Sequence, residues 1–430
     1  MRRLTIVLAA LVSVLLLAPA SLGAAPRTGS PLAGLTQARI ATGALEGQTH
    51  SASALRQLRS VEADLAVAVV PALWIDARHN VAPPYGATVF AESRAALRAL
   101  EAVAPPTVPS GGVANVEASV LAADRNLALG AIREAEVGVG GGLLQRARGM
   151  ILSGDRWSET SRVDLGAVQY GTAWGLAFEA LRLTVELRAE LVSPLSLDAA
   201  AENARGRSSI APAGVRTLSG RAPLSRSGKP EVVFVGTQSC RYCAIERWGL
   251  VAALSQFGTF SLLSLSQSAT TEQPVFRSFS FHGSTYDSFY VSFDPVELTS
   301  TAPGAGGGYQ PLDRLTPAQR TLVRTLDPAG TVPFVDVANQ FTDLGATVSP
   351  APLAGLPWGL LSASLRQPKT LTGQAIAAAA AVYTAEICRA TGGVPAPVCG
   401  TSAVADYTSR LAQFGRRGGG CPIAAILRRR

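Results

Sequence analysis

Two cysteines three residues apart, Cys240 and Cys243, sit in the stretch 232–248, VVFVGTQSCRYCAIERW. A short apolar run ends in a turn, the thiols follow, and the spacing then becomes helical. A Cys-x-x-Cys opening a helix has a physical reason to react. The unpaired N-terminal amides carry about half a unit of positive charge, so Cys240 is favoured as thiolate, and Cys243 lies one turn on, within reach to resolve a mixed disulfide. Arg241 places a cation between them. A lower thiol pKa makes a better leaving group and moves the pair toward oxidant behaviour. Two other readings stand beside this one. A zinc site would need a second ligand pair at recognisable spacing, which the chain lacks, so no metal is expected. A purely structural disulfide is the alternative open to an exported protein.

The flanking sequence supplies the elements. The β-branched run 231–235 reads as a buried strand, 244–257 as a helix and 260–265 as a second strand, together a βαβ unit with parallel strands. The aromatic runs 275–281 and 288–293 around His282-Gly283 read as an inserted hairpin. Thr316-Pro317 opens a further helix, and 333–338 with 340–345 read as a strand pair. Helices follow at 357–365 and 371–391. Pro333 must begin its strand or occupy a special turn, because a proline inside a strand loses a ladder donor. A cis Val332–Pro333 peptide is expected there.

This order, βαβαββα, with a Cys-x-x-Cys opening the first helix and a proline ahead of the third strand, resembles the thioredoxin fold. The segments FVGTQSCRYCAIERWGLVAALSQFGTF, FHGSTYDSFYVSFDPVEL, YQPL, TVPFVDVANQF and AEICRATGGVPAPVC together resemble the thioredoxin-like family catalogued as domain of unknown function 929, over about 228–400. The resemblance implies that Cys240 and Cys243 are catalytic and face Pro333. It further implies that the Val332 backbone pairs with a bound substrate chain. Arg241 and Tyr242 would add to the binding surface. Two positions depart from the thioredoxin pattern: Phe234 stands where a buried acid is common, and Ser239 where tryptophan is. Proton transfer at Cys243 then falls to water or to Glu246, one turn along the helix; the competing reading of Glu246 is a solvated charge on a helix face. Trp248, at helical spacing, reads as core.

Cys388 and Cys399 flank a Gly/Pro-rich turn and are expected to close a structural disulfide, worth ~2 to 3 kcal/mol in the chain-entropy model. A relay pair exchanging with Cys240 and Cys243 is the minority reading. Cys421 is left over, in a tail read as flexible, and is expected to form an intermolecular bridge or to remain a free thiol. GVGGG at 138–142 lacks the strand and lysine of a phosphate loop and reads as a helix break. His50 and His79 lie on the helical half, and His282 reads as turn chemistry without a carboxylate partner.

Between 48 and 192 the sequence is rich in Ala, Leu and Arg at helical spacing, as at Leu55, Leu58, Val61 and Leu65, with about four or five helices punctuated by Pro and Gly. The aperiodic stretch 194–228 reads as a linker. At the N-terminus, Arg2-Arg3 precede the apolar run 4–17 and small-residue cleavage sites, the pattern of an export signal; an uncleaved anchor is the alternative. No later segment reads as membrane-spanning. The expected organisation is a signal peptide at 1–24, a helical domain at 25–193, a linker at 194–228, a thioredoxin-like α/β domain at 229–400 and a flexible basic tail at 401–430. The chain has 430 residues, 38 Lys+Arg against 30 Asp+Glu, and 47% hydrophobic content. This is enough for a sizeable core, and the base is spread too thinly for a nucleic-acid surface. The expected function is that of an exported thiol-disulfide oxidoreductase, oxidase or isomerase before reductase. It would act on protein thiols or disulfides, need no cofactor of its own, and be recharged by a membrane redox partner. The alternative is an extracytoplasmic binding or scaffold protein with a structural Cys-x-x-Cys.

Overall fold

The computed structural model describes residues 30–75, 80–83, 85–103, 107–136, 138, 140–304 and 308–423. The expected signal peptide and His79 lie outside the described residues. The chain is mixed α/β, with an N-terminal helical region and a C-terminal mixed sheet.

Among the described residues, six α-helices build the N-terminal region: Pro31–Glu46, Ala52–Ala68, Gly86–Glu101, Ser110–Ala135, Gly141–Ser158 and Val163–Glu190. Ser30 and Ser51 cap the first two, their hydroxyls accepting from Ala33 N and Ala54 N, which satisfies otherwise orphaned amides. Leu58, Val61 and Leu65 are fully buried as their spacing predicts. The long helix Val163–Glu190 buries a seam of small residues, Ala167, Ala173, Ala177 and Ala180. Its large rings turn elsewhere: Trp174 stacks on Phe178, and Phe178 meets Trp358 of the C-terminal region edge-on at 6.2 Å. From the same helix Glu186 accepts from Leu263 N, and Arg188 donates to Gly359 O and Ser362 Oγ. The two regions are therefore packed against each other.

The stretch expected as a linker is ordered. Pro194–Ala204 is a helix capped by Ser193, with Leu197, Ala200, Ala201 and Ala204 buried, and Val215–Thr217 is an edge strand. Its alanines resemble linker composition because a helix lying flat on another needs small residues at the contact.

The main sheet runs Val215–Thr217, Phe341–Leu344, Phe334–Val337, Lys229–Gly236, with Ser225–Arg226 pairing at the start of the last and Ser292–Glu297 lying parallel to it. The other pairings are antiparallel. The central strand Lys229–Gly236 leads into the helix Arg241–Leu254, called here the thiol helix. The parallel partner of the central strand is Ser292–Glu297, not the run 260–265. That run divides into Gly258–Ser261, which pairs with Thr285–Ser288, and Ser264–Gln267, which pairs with Arg277–Ser280. The expected hairpin between 275–281 and 288–293 is accordingly absent: each run pairs with a different strand. Thr316 opens the helix Pro317–Leu326 with a capping box closed by Gln319.

Leu371–Ala390 packs against the thiol helix. It is long and apolar enough to cross a membrane, but 89% of its most apolar window is buried, so it is a core helix here. Gly249 of the thiol helix allows the close approach: a Cβ there would stand 2.7 Å from Ala379 Cβ. The expected flexible tail also forms structure. Ser402–Arg410 is a helix burying Ala403, Val404 and Tyr407, and Cys421–Pro422 pairs with Thr331–Val332.

Candidate functional site

The thiol helix is held at its start by charge buried on all sides. Arg247, fully buried, donates through Nε and Nη2 to both oxygens of Glu297 at 2.7 Å, and through Nη2 to Thr237 O at 2.6 Å. Glu297 ends the parallel strand and Thr237 begins the turn before the cysteines, so one guanidinium ties strand end, turn and helix together. A bidentate pair of this kind fixes position as well as supplying charge.

Cys240 occupies the N-cap position of the thiol helix and is 2% exposed. Its Sγ lies 3.7 Å from Val332 O, and the Val332–Pro333 peptide is cis. The Val332 carbonyl thus stands against the Cys240 sulfur, with Pro333 the next residue along the chain. Arg241 and Tyr242 are half-buried, the guanidinium 5.3 Å from the centre of the tyrosine ring.

The cysteine pairing departs from expectation. Cys240 is bonded to Cys421, 181 residues away, and Cys243 is free and fully buried. Burial, above all, pushes the Cys243 thiol up to about 12; Arg247 and the Thr237 backbone N–H oppose this, while Glu297 and Glu246 add to it. Cys243 is therefore held protonated. Gly236, at the end of the central strand, makes room for it: a Cβ there would lie 3.3 Å from Cys243 Sγ and 2.4 Å from the Phe234 ring. Cys388 and Cys399 are joined to each other across the turn after the core helix.

Glu246 is not a solvated helix-face charge. It is fully buried, accepts from Thr347 N at 2.6 Å and Thr347 Oγ1 at 2.9 Å, and takes the Tyr383 hydroxyl on its other oxygen. Every residue of the thiol helix from Cys243 to Leu254 is buried, so it has no wet side on which a carboxylate could lie. Burial raises Glu246 to about 7. Asp343 and Glu386 behind it are raised well above the usual carboxylate range, chiefly by burial and then by neighbouring carboxylates. Asp336 is raised to about 7 by burial. The sequence does signal two of these: Asp336 and Asp343 interrupt the apolar strands FVDV and FTDL. His282, too, gains a partner, its Nδ1 lying 2.7 Å from Asp313 Oδ1. Trp248 is core as expected, donating to Arg277 O, and His50 is exposed.

Residues 416–423 line the site from outside. Gly214 N donates to Arg416 O, Gly418 N to Leu344 O, Ala346 N to Gly419 O and Ile423 N to Gly330 O, while Cys421 pairs with Val332. Arg417 holds Asp327 at 2.8 Å. Reading glycine as flexibility missed this segment. The available signal is the odd cysteine count: once 388 and 399 pair, three thiols remain for one bond.

No match was found among curated proteins or among solved structures. Residues 219–305 match a family model described as a domain of unknown function (DUF929), a region that holds Cys240 and Cys243 and ends before Val332, Pro333 and Cys421.

Proposed function

We propose that the chain is an exported thiol-disulfide oxidoreductase with a thioredoxin-like fold over about 229–400, acting through Cys240 and Cys243. The observation that carries this reading is the state of the three thiols. Cys240, at a helix N-terminus, is in a disulfide with an extended segment paired to Val332, while Cys243, one turn along, is free. That is the arrangement of a mixed disulfide awaiting its resolving thiol. The strand order supports the fold: Ser292–Glu297, Lys229–Gly236, Phe334–Val337, Phe341–Leu344, the first two parallel and the rest antiparallel, with the thiols at the exit of the central strand. The Arg2-Arg3 and apolar 4–17 pattern supports export.

In the oxidising direction a substrate thiolate attacks Cys240 Sγ of a Cys240–Cys243 disulfide, and Cys243 leaves and takes up a proton. A second substrate thiolate then attacks the substrate sulfur, releasing Cys240 and an oxidised product. Both enzyme thiols end reduced, and a disulfide-donating partner in the membrane restores them. Isomerisation needs no net oxidant: Cys240 attacks a substrate disulfide and is later displaced. The test is oxidative refolding of a reduced small disulfide protein. Acceleration by the wild type, its loss in Cys240→Ser, and accumulation of a mixed disulfide in Cys243→Ser are expected. Refolding unaffected by the protein would overturn the reading. One observation favours the rival scaffold reading: Cys240 is 2% exposed, as a staple would be.

A further inference from the structure

Segment 417–423 has the backbone geometry of a bound peptide rather than of a tail resting on a surface. It runs antiparallel to Thr331–Val332 with Cys421 opposite Val332 and Pro422 opposite Thr331. Its three glycines lie in close contact, tightest against backbone at Gly418. A Cβ at Gly418 would stand 2.1 Å from Ala346 O, at Gly419 2.3 Å from the Tyr242 ring, and at Gly420 3.0 Å from Val332 O. None of the three has a positive φ, so close approach and not backbone conformation excludes side chains. Beyond the cysteine, Ile423 is 3% exposed. Before the glycines, Arg417 pairs with Asp327, itself 1% exposed, and reaches Thr331 Oγ1.

We propose that segment 417–423 is a tethered occupant of the exchange groove, and that the substrates it stands in for are extended cysteine-bearing peptides with small residues before the cysteine and an apolar residue two positions after it. This rests on the thiol-exchange reading above. Opening the groove requires no external oxidant or reductant. Cys243 loses its proton and attacks Cys240 Sγ, the Cys240–Cys243 bond forms, the Cys240–Cys421 bond breaks, and Cys421 leaves as a thiolate that takes up one proton. The count of disulfides and thiols is unchanged. With Cys243 buried as a thiol, the closed form is long-lived, and the free groove belongs to the minor form.

The test uses full-length mature protein and a synthetic peptide Arg-Gly-Gly-Gly-Cys-Pro-Ile, with Arg-Leu-Phe-Leu-Cys-Pro-Ile as control. A tethered segment competes at an effective concentration on the order of mM. At ~0.1 mM probe, wild type should therefore exchange roughly tenfold more slowly than Cys421→Ser. Gly419→Leu, which leaves every thiol in place but cannot lie against Tyr242, should be accelerated likewise. The glycine peptide should outrun the control in both variants. Exchange at equal rates for the two peptides, or with no gain in either variant, would overturn this inference and leave thiol exchange standing. Absence of exchange at Cys240 in every variant, with circular dichroism unchanged, would overturn both.

Discussion

Replacing Glu246 with glutamine isolates the most consequential buried carboxyl. In the fold its pKa is raised from 4.5 to about 7, burial being the main cause, opposed by the donors Tyr383 and Thr347. An acid whose folded pKa lies above its unfolded one binds protons more tightly in the fold. Its stabilising contribution is present below pH 4.5 and is lost as the pH rises to about 7. At 1.36 kcal/mol per pKa unit, the loss from this one group amounts to about 3 kcal/mol between pH 4.5 and 8. Glutamine has the same shape and no charge. Its carbonyl keeps the bonds from Thr347, and the variant escapes the loss. Relief of the push that Glu246 exerts on Asp343 acts in the same direction. Urea unfolding at pH 5 and pH 8, disulfides intact, gives the comparison. Relative to wild type, Glu246→Gln should gain about 2 to 3 kcal/mol on going from pH 5 to pH 8. A difference between the two proteins that is the same at both pH values, or that favours wild type at pH 8, would refute the argument.

Other predictions concern the parts around it. Arg247→Met leaves Glu297 buried and uncompensated and should cost about 3 to 5 kcal/mol, with much of the loss recovered by adding Glu297→Leu; urea midpoints of the single and double variants decide it. Gly236→Ala puts a methyl against the Phe234 ring and Cys243 Sγ; it should destabilise by about 1 to 3 kcal/mol, and an unchanged melting temperature would count against the packing described. In native wild type at pH 7.5, Cys243 should resist iodoacetamide and become reactive only in denaturant, because burial holds it as a thiol. Cys388→Ser with Cys399→Ser should lose ~2 to 3 kcal/mol of stability while leaving exchange at Cys240 unaltered.

The thiol turn was legible because its signals are local: a β-branched run, a turn, a cysteine at the N-cap and a helical spacing all fall within a few residues. The proline strand and its neighbour were legible for the same reason. The parallel partner of the central strand was not. Ser292–Glu297 contains Pro295 and two acids, and only its place against the central strand makes it a sheet member. Glu246 was misread because a helix buried on both sides gives no alternation from which to tell a buried position from a wet one. The Arg247–Glu297 pair joins residues 50 apart in sequence, a distance no local pattern spans. The tail was misread for a steric reason. Glycine required by close approach and glycine tolerated by disorder look the same in a sequence, and only the surfaces of Tyr242, Ala346 and Val332 distinguish them.

The most direct test of the account is to equilibrate the mature protein across glutathione ratios, quench in acid, alkylate, and assign every disulfide by mass spectrometry. The account predicts that Cys240 exchanges its partner between Cys421, Cys243 and glutathione, with a midpoint in the oxidising range, roughly −120 to −180 mV. A Cys240–Cys421 bond that persists to below roughly −300 mV, with Cys243 never joining it, would contradict the account and make the bond a structural staple.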